Sequence, residues 1–266
     1  MYPILFEIGP LVISSFGLMM VLAFLVSNHL IKKDIKKAGF DPSLGDDIIF
    51  RAAIGGIIGA KLYYIIENLS NGLGMENLKG LVDIFSGIFT LNLEKISFGI
   101  QNFGSGLVFL GGLMGGLIVV THYVYKNKLS WLIVADWVAP YLALGHGIGR
   151  IGCFLVGDCY GLPSNLPWAC TFPNGLPPTL IPVHPTQLYE MLAYFIIFGY
   201  LTFNKYKIDY NGQLIFEYLF LVGFSRFVIE FLRTNPKYLF GLSGAQYISF
   251  VMIIVAIYFM YVNRKK

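Results

Sequence analysis

Arg150 and Asp158 lie in a run that is otherwise apolar and rich in glycine, from His146 to Gly161. An arginine at membrane depth costs about 2.5–3.5 kcal/mol on insertion scales, so it is a candidate functional group by default. The five glycines of the run let a ligand or another backbone approach closely, and glycine-rich turns can present N–H groups to an anion. His146 lies one helical turn before Arg150 on the same face. The run therefore favours an anion site.

A second set of charges lies on later apolar segments. Arg226, Glu230 and Arg233 recur at i, i+4 and i+7 and form one stripe along a helix. Glu190 opens the segment before this stripe, and Lys61 lies near the end of an earlier one at the same predicted level. Guanidinium groups donate paired hydrogen bonds that suit phosphate, and phosphate is the anion that a bilayer supplies at headgroup depth. The predicted substrate is a phospholipid.

Two simpler explanations compete with this one. Lysine and arginine side chains at helix ends often extend to the membrane interface, although Arg226 is too deep for that and carboxylates gain nothing by it. Glu230 either holds the arginines for a ligand or forms a purely structural pair with Arg226. A further set near the opposite helix ends, Arg51, Asp136 and Glu217, is predicted to tie helices together.

The elements that must position these charges are membrane helices. Hydrophobic residues make up 56% of the chain and charged residues 13%, against roughly 25% charged in soluble domains, and the mean hydropathy is +0.67. About 20 apolar residues form one span. Seven such stretches occur, at about Leu11 to Leu30, Ile48 to Ile66, Gly104 to Tyr125, Trp131 to Gly149, Gln187 to Phe203, Gln213 to Leu232 and Gly244 to Val262. Because Glu7 is the only charge before the first stretch, we expect that stretch to remain as a helix.

The distribution of basic residues predicts the orientation of the spans. Eleven lysines and arginines fall in alternate loops or at the C-terminus, against four on the opposite side, which places the N-terminus outside and the C-terminus in the cytoplasm. Two outward segments are long, at about 67–103 and 151–186. The predicted fold is all-α, a polytopic transmembrane bundle of about seven spans in one domain, residues 1–266. The net charge of +4 is then a topology signal, and no nucleic-acid partner is implied.

The residues also carry a resemblance to a known family. The stretch Gly149-Arg150-Ile151-Gly152, followed by Phe154, Gly157, an acid and Gly161, resembles the signature of the prolipoprotein diacylglyceryl transferases. Further matches occur in the same order as in that family, namely Gly9-Pro10, Gly59-Ala60-Lys61-Leu62, His184-Pro185-Thr186-Gln187-Leu188-Tyr189-Glu190, and Arg226-Phe227 with Glu230-Phe231 and Arg233. The resemblance covers almost the whole chain.

The resemblance implies a reaction and a place for it. A diacylglyceryl group passes from phosphatidylglycerol to the thiol of a lipobox cysteine in a prolipoprotein signal peptide, without a cofactor or a metal, in the inner membrane of a bacterial cell. The implied catalytic residues are Arg150, Arg226, Asp158 and His146. The implied substrate-binding residues are Arg150, Gly161, Cys153, Glu190, Glu230, Arg233 and Lys61.

The chain departs from the family pattern at several positions. Leu110 stands where the family has a histidine, Cys153 where it has an asparagine, and Asp158 where it has a glutamate. Phe16 and Val222 replace two expected tyrosines. His146 and Asp158 are therefore the candidates for the base, with a neutral, structural His146 as the alternative. The losses also leave a second function open, that of a non-catalytic relative that binds phospholipid or transports an anionic solute.

The remaining features are predicted to belong to the scaffold. Cys153 and Cys159 either pair or remain packed thiols, and no spacing indicates zinc or an iron–sulfur cluster. Thr186 is predicted to cap the fifth helical segment. Two sets of glycines have a spacing that permits close helix contact, namely Gly55, Gly56 and Gly59 in one segment and Gly111, Gly112, Gly115 and Gly116 in another.

Overall fold

Helices make up most of the protein in a computed structural model that describes residues 2–8, 11–104 and 106–264. Two two-stranded sheets accompany them, β1 with β2 and β3 with β4, and the second of these pairs is antiparallel. The strands are β1 (Ile4–Ile8), β2 (Leu11–Ser14), β3 (Cys170–Phe172) and β4 (Thr179–Val183). The helices are α1 (Ser15–Lys37), α2 (Ser43–Glu67), α3 (Leu73–Phe89), α4 (Leu93–Gly104), α5 (Phe109–Lys126), α6 (Trp131–Val156), α7 (Thr186–Asn204), α8 (Gln213–Ile229) and α9 (Gly244–Arg264).

The helical membrane class predicted from composition is confirmed. Four of the described helices, α1, α2, α6 and α9, are long and apolar enough to cross a membrane, and a fifth span results if α4 and α5 are counted together. Each of the seven predicted stretches overlaps a helix. The predicted outward segment 67–103 differs from a loop, because it contains the whole of α3 and most of α4.

The described helices fall into two compact units. Unit I contains α1 and all elements from α6 to α9, and unit II contains α2 to α5. Every residue of the charged stripe and of the glycine-rich run belongs to unit I.

In unit II, α2 and α5 approach each other through glycine. A Cβ atom on Gly59 would lie 2.3 Å from the carbonyl oxygen of Gly111, and one on Gly55 would lie 2.8 Å from that of Gly115. Such distances leave no room for a side chain, so the backbones of the two helices touch directly. The prediction that these glycines allow close helix packing is confirmed.

In unit I, α6 packs against α1, α7 and α8. Small side chains such as Ala139 and Ala143 are fully buried in the core that α6 shares with α7 and α8. Asp136, also buried, accepts hydrogen bonds from the backbone N–H groups of Gly212 (2.6 Å) and Ile215 (3.0 Å) at the start of α8. These donors lack partners within their own helix. Asp136 therefore ties two helices together, as predicted.

The segment between α6 and α7 forms a small folded layer around Phe172. This ring is fully buried, stacks on Tyr160 with centroids 5.3 Å apart and meets Phe154 of α6 edge to face at 5.8 Å. The hairpin of β3 and β4 pairs Cys170 with Val183. The layer thus rests on the end of α6, where the glycine-rich run lies.

Candidate active site

The turn that follows α6 is shaped by its backbone and held by α7. Gly157 ends the helix with φ at 77°, and Cys159 also has a positive φ, 60°, a conformation that costs a non-glycine residue about 1–2 kcal/mol. Thr186 Oγ1 donates to the carbonyl oxygen of Cys159 (2.8 Å), and the Gln187 side chain donates to that of Asp158. These bonds hold the strained turn against the first residues of α7.

The predicted helix-capping role of Thr186 is wrong. Thr186 is the first residue of α7, Pro185 occupies the N-cap position, and no side chain caps this helix end. The Thr186 hydroxyl instead donates a hydrogen bond to the carbonyl oxygen of Cys159. Threonine before a helix signals a cap only if its side chain is not needed elsewhere.

Glu190 is the centre of the charged cluster. Its side chain is fully buried on α7 and contacts three arginines. Oε1 accepts from Arg226 Nη1 and from Arg233 Nη1 (3.0 Å), while Oε2 pairs with Arg150 Nε. One carboxylate thus joins α6, α8 and the turn that follows α8.

Glu230 provides a second buried carboxylate. Its Oε2 lies 2.9 Å from Arg226 Nη2 and 3.7 Å from Arg233 Nε. Its Oε1 accepts from Asn235 Nδ2 (2.6 Å) and Ser243 Oγ (2.8 Å). Because Glu230 pairs with both arginines and accepts hydrogen bonds from two neutral donors, its pair with Arg226 is part of a network and not an isolated link.

The three arginines differ in exposure. The side chains of Arg150 and Arg226 are 22% and 19% exposed, whereas Arg233 is 6% exposed and both carboxylates are buried. Three guanidinium groups face two carboxylates, which leaves one excess positive charge among these five side chains. A buried cationic group with two partly accessible arginines can bind an anion with little reorganisation.

His146 lies deeper on α6 beside two buried tyrosines. Its Nδ1 is 3.1 Å from the hydroxyl oxygen of Tyr218 on α8, and its ring centroid is 5.3 Å from that of Tyr194 on α7. The ring is thus held across helices by a neutral partner. The contact agrees with the structural alternative for His146, and its role as a base stays a prediction.

Asp158, Cys153 and Cys159 form a compact group beside the arginines. The two Sγ atoms and a carboxylate oxygen of Asp158 all lie within 4.8 Å of one another. Burial raises the pKa of Asp158 to about 6, and the neighbouring Cys159 adds to this shift. A hydrogen bond from Cys153 lowers the pKa of Cys159 to about 4, and the charge of Arg233 acts in the same direction. Asp158 is therefore poised to exchange a proton near neutral pH.

The glycine N–H groups do not form the anion cradle that the sequence favoured. Gly149 and Gly152 are inside α6, the N–H of Gly157 donates to Cys153 O (2.9 Å), and that of Gly161 donates to His184 O (2.8 Å). A Cβ atom on Gly161 would lie 2.4 Å from the carbonyl oxygen of Leu232. Gly161 thus permits a close backbone crossing, and its predicted contact with substrate stays a prediction.

Lys61 belongs to unit II, on α2. Its Nζ donates to the carbonyl oxygens of Phe103 and Gly106 and lies 4.4 Å from the centre of the Phe103 ring. These contacts give the ammonium group a local structural role, and its predicted role in substrate binding stays a prediction. The Gly9-Pro10 motif lies outside the described residues.

Several members of the cluster escaped the sequence-based prediction. Asn235 and Ser243 donate hydrogen bonds to the Glu230 carboxylate. Tyr194 and Tyr218 contact the His146 ring. Tyr218 lies one helical turn before Val222, which replaces an expected tyrosine. The spacing of Tyr218 and Arg226, two turns apart on one helix, could have indicated that both face the same helix neighbours.

The fold and the site define a class, helical membrane proteins with a buried arginine–glutamate network that can bind an anionic group. A sequence profile of the family described as prolipoprotein diacylglyceryl transferase matches residues 3–262. The chain therefore belongs to the prolipoprotein diacylglyceryl transferase family.

Individual relatives agree over nearly the full length. The chain is 36% identical over 272 residues to a phosphatidylglycerol–prolipoprotein diacylglyceryl transferase of Clostridium tetani, with 99% of this chain and 98% of the relative covered. It is 32% identical to a Clostridium perfringens protein with the same name and the number 2, covering 99% and 96%. A Vibrio cholerae relative with that name is also 32% identical, covering 99% and 92%.

Proposed function

We propose that this chain transfers an sn-1,2-diacylglyceryl group from phosphatidylglycerol to the lipobox cysteine thiol of prolipoproteins, the first step of bacterial lipoprotein maturation. The observation that carries the proposal is the network in which Glu190 and Glu230 hold Arg150, Arg226 and Arg233. The family membership and the names of the relatives support the same reaction.

The reaction needs a leaving group that is stabilised as it departs. The substrate thiolate attacks the glyceryl carbon that carries the phosphodiester, a C–S bond forms, the C–O bond breaks, and glycerol phosphate leaves with the electron pair. We assign Arg150 and Arg226 to this phosphate because they are the more exposed arginines of the network. Fixed cations in a poorly hydrated site stabilise such developing charge more than water does.

We assign Glu190 and Glu230 to positioning, because arginines and neutral donors occupy their carboxylates. Asp158 is our candidate for the base that accepts the proton of the substrate thiol, whose ordinary pKa is near 8.5. Asp158 is partly exposed and has a raised pKa, whereas His146 is bound to Tyr218. Cys153, Gly161 and Lys61 are the further proposed substrate contacts.

We also propose seven spans, with the N-terminus outside, in the inner membrane of a bacterium. Beyond the spans counted above, α7 has 19 residues, and α8 continues directly into a 3-10 turn at Glu230–Leu232, so both approach the length of about 20 residues that a span needs. The basic residues of alternate loops support the orientation. The family match from residue 3 to residue 262 supports one transferase domain that includes both units.

The test uses bacteria depleted of their own diacylglyceryl transferase. Expression of this chain should restore the size shift of a model prolipoprotein, and Arg150→Ala should abolish it with membrane insertion intact. Arg264→Ala, at the exposed end of α9, is the matched control and should transfer normally. Insertion and phosphatidylglycerol binding without any size shift would overturn the enzyme assignment in favour of the non-catalytic or transporting relative. Normal transfer by Arg150→Ala would place the phosphate site elsewhere.

A further inference from the structure

Cys153 and Cys159 lie side by side at the end of α6 and in the turn that follows it. Cys153 stands where the family pattern has an asparagine. Cys153 is buried in the last turns of α6, and Cys159 lies in the following turn with part of its surface exposed. Their Sγ atoms are within 4.8 Å of each other, and both are free thiols. Cys170, the third cysteine of the chain, is in β3, where its Sγ contacts the carbonyl oxygen of Trp168.

The surroundings make the two thiols unequal. The neighbouring Cys153 and the positive charges of Arg233 and Arg150 lower the pKa of Cys159 to about 4, and Cys153 is buried whereas Cys159 is partly exposed. Cys159 is therefore a thiolate near neutral pH, and Cys153 is its protonated partner. A thiolate that is partly exposed, next to a buried thiol, is the arrangement in which one sulfur attacks an external disulfide and the other resolves the product.

Both sulfurs belong to one short stretch, the end of α6 and the turn that follows it. A disulfide needs the Sγ atoms about 2.05 Å apart, so the side chains must close a gap of a few ångströms. The backbone of the turn already adopts an unusual conformation at Cys159 and Gly157. The carbonyl oxygen of Cys159 is tied to α7 through Thr186, and this bond involves the backbone and not the cysteine side chain.

A bound cation is the competing explanation, because Asp158 completes a group of three metal-ligating side chains. The positive charges of Arg150 and Arg233 disfavour a cation at this position. Arg150 Nη1 lies 3.8 Å from the Cys153 sulfur, and the charge of Arg233 acts on the Cys159 thiol. A cation at the same sulfurs would have to displace these guanidinium groups or bear their repulsion.

We propose that Cys153 and Cys159 are a reversible redox modification site, which forms an intramolecular disulfide by exchange with an external disulfide. The Cys159 thiolate attacks one sulfur of the external disulfide and releases its first thiolate. Cys153 then loses its proton and attacks Cys159 Sγ, which forms the Cys153–Cys159 bond and releases the second thiol. The pair is oxidised by two electrons, and the external disulfide is reduced to two thiols.

Oxidation would change the site next to it. It removes the thiolate that faces Arg233 and Arg150, so the arginine network gains positive charge relative to the reduced form. The disulfide can form whether or not the chain catalyses the proposed transfer, so it is tested by a measurement that does not depend on activity.

The experiment measures intact mass in the purified full-length chain in detergent. Cys170→Ser leaves only the pair and is incubated with oxidised glutathione. We expect the mass to fall by two hydrogens, with no glutathione adduct at equilibrium and full reversal by dithiothreitol. Digestion of the wild-type chain should yield a peptide in which Cys153 is linked to Cys159, which gives a second measurement should the variant fold poorly.

Single-cysteine variants separate the roles of the two sulfurs. With Cys153→Ser and Cys170→Ser combined, Cys159 should trap one glutathione, because no second thiol can release it. With Cys159→Ser and Cys170→Ser combined, the buried Cys153 should remain unmodified. A two-cysteine chain that accumulates glutathione adducts, or that stays reduced while the denatured chain oxidises, would overturn the proposal. Protection of both thiols by zinc, reversed by a chelator, would assign a cation site in its place.

Discussion

Replacement of Glu190 by glutamine tests whether one carboxylate holds the arginine network. Glu190 is fully buried and pairs with Arg150, Arg226 and Arg233. Glutamine has nearly the same shape but no charge, and its amide NH₂ group can face a guanidinium only unfavourably. After the change, Arg226 and Arg233 still pair with Glu230, whereas Arg150 loses its pair with Glu190.

The expected loss follows from the burial of the pair. Removal of one partner from a buried ion pair costs about 3–5 kcal/mol, because the other charge remains desolvated without compensation. At 2 °C or more per kcal/mol for a chain of this size, the unfolding temperature should fall by roughly 6 °C or more. Transfer should fall at least ~tenfold, since a misplaced guanidinium loses more than about 1.4 kcal/mol of transition-state stabilisation.

Thermal unfolding in detergent and the prolipoprotein size shift measure the two effects. Glu217→Gln is the matched control, because Glu217 is a half-buried carboxylate of α8 that accepts a hydrogen bond from Gln213 in its own helix. The control should unfold and transfer much like the unmodified chain. If Glu190→Gln behaved like this control in both assays, the reasoning that Glu190 organises the site would be refuted.

Two further predictions concern packing and pH. Gly59→Ala should lower the unfolding temperature of the chain, because the new methyl group would lie 2.3 Å from the carbonyl oxygen of Gly111. The control Gly56→Ala, on the same helix, meets only ordinary contacts at 3.6 Å and should be tolerated. Equal unfolding temperatures of the two variants would contradict the close packing of α2 and α5. Transfer should decrease as the pH falls through about 6, because Asp158 then gains a proton, and Cys159→Ser should move this decrease to lower pH, since loss of the thiolate charge lowers the pKa of Asp158. A pH profile of initial rates measures both effects, and an unchanged midpoint in the serine variant would argue against their coupling.

Apolar stretches and charge in the sequence were enough to locate seven of the nine described helices, all but α3 and α4, and to select the charged residues of the network. The stripe of Arg226, Glu230 and Arg233 follows from helical spacing alone, and Glu190 was selected for its place at the start of a segment. The sequence could not show that Glu190 contacts all three arginines, because this depends on how α6, α7 and α8 pack. The role of Asn235 and Ser243 was equally hidden, since neutral polar residues after a helix give no periodic signal.

Predictions from local sequence were wrong for hydroxyl and N–H groups that form hydrogen bonds elsewhere in the fold. Threonine at the start of a helix favours a cap, but the Thr186 hydroxyl donates a hydrogen bond to the carbonyl oxygen of Cys159. Glycine-rich turns favour anion binding, but the N–H groups of Gly157 and Gly161 are bonded to carbonyl oxygens of the chain itself. The segment 67–103 was predicted as a long outward segment between two spans, and it contains α3 and most of α4.

The pairing of Arg150 with Glu190 also constrains how the chain is made. Synthesis proceeds from the N-terminus, so α6 reaches the membrane before the forty residues that lead to Glu190 have left the ribosome. During that interval Arg150 has no counter-charge from α7, and its presence lowers the gain from inserting α6 by up to about 3 kcal/mol. Pairing with Glu190 at the start of α7 offsets this cost, so a nascent chain that stops short of Glu190 should hold α6 in the membrane less firmly than one that extends beyond it.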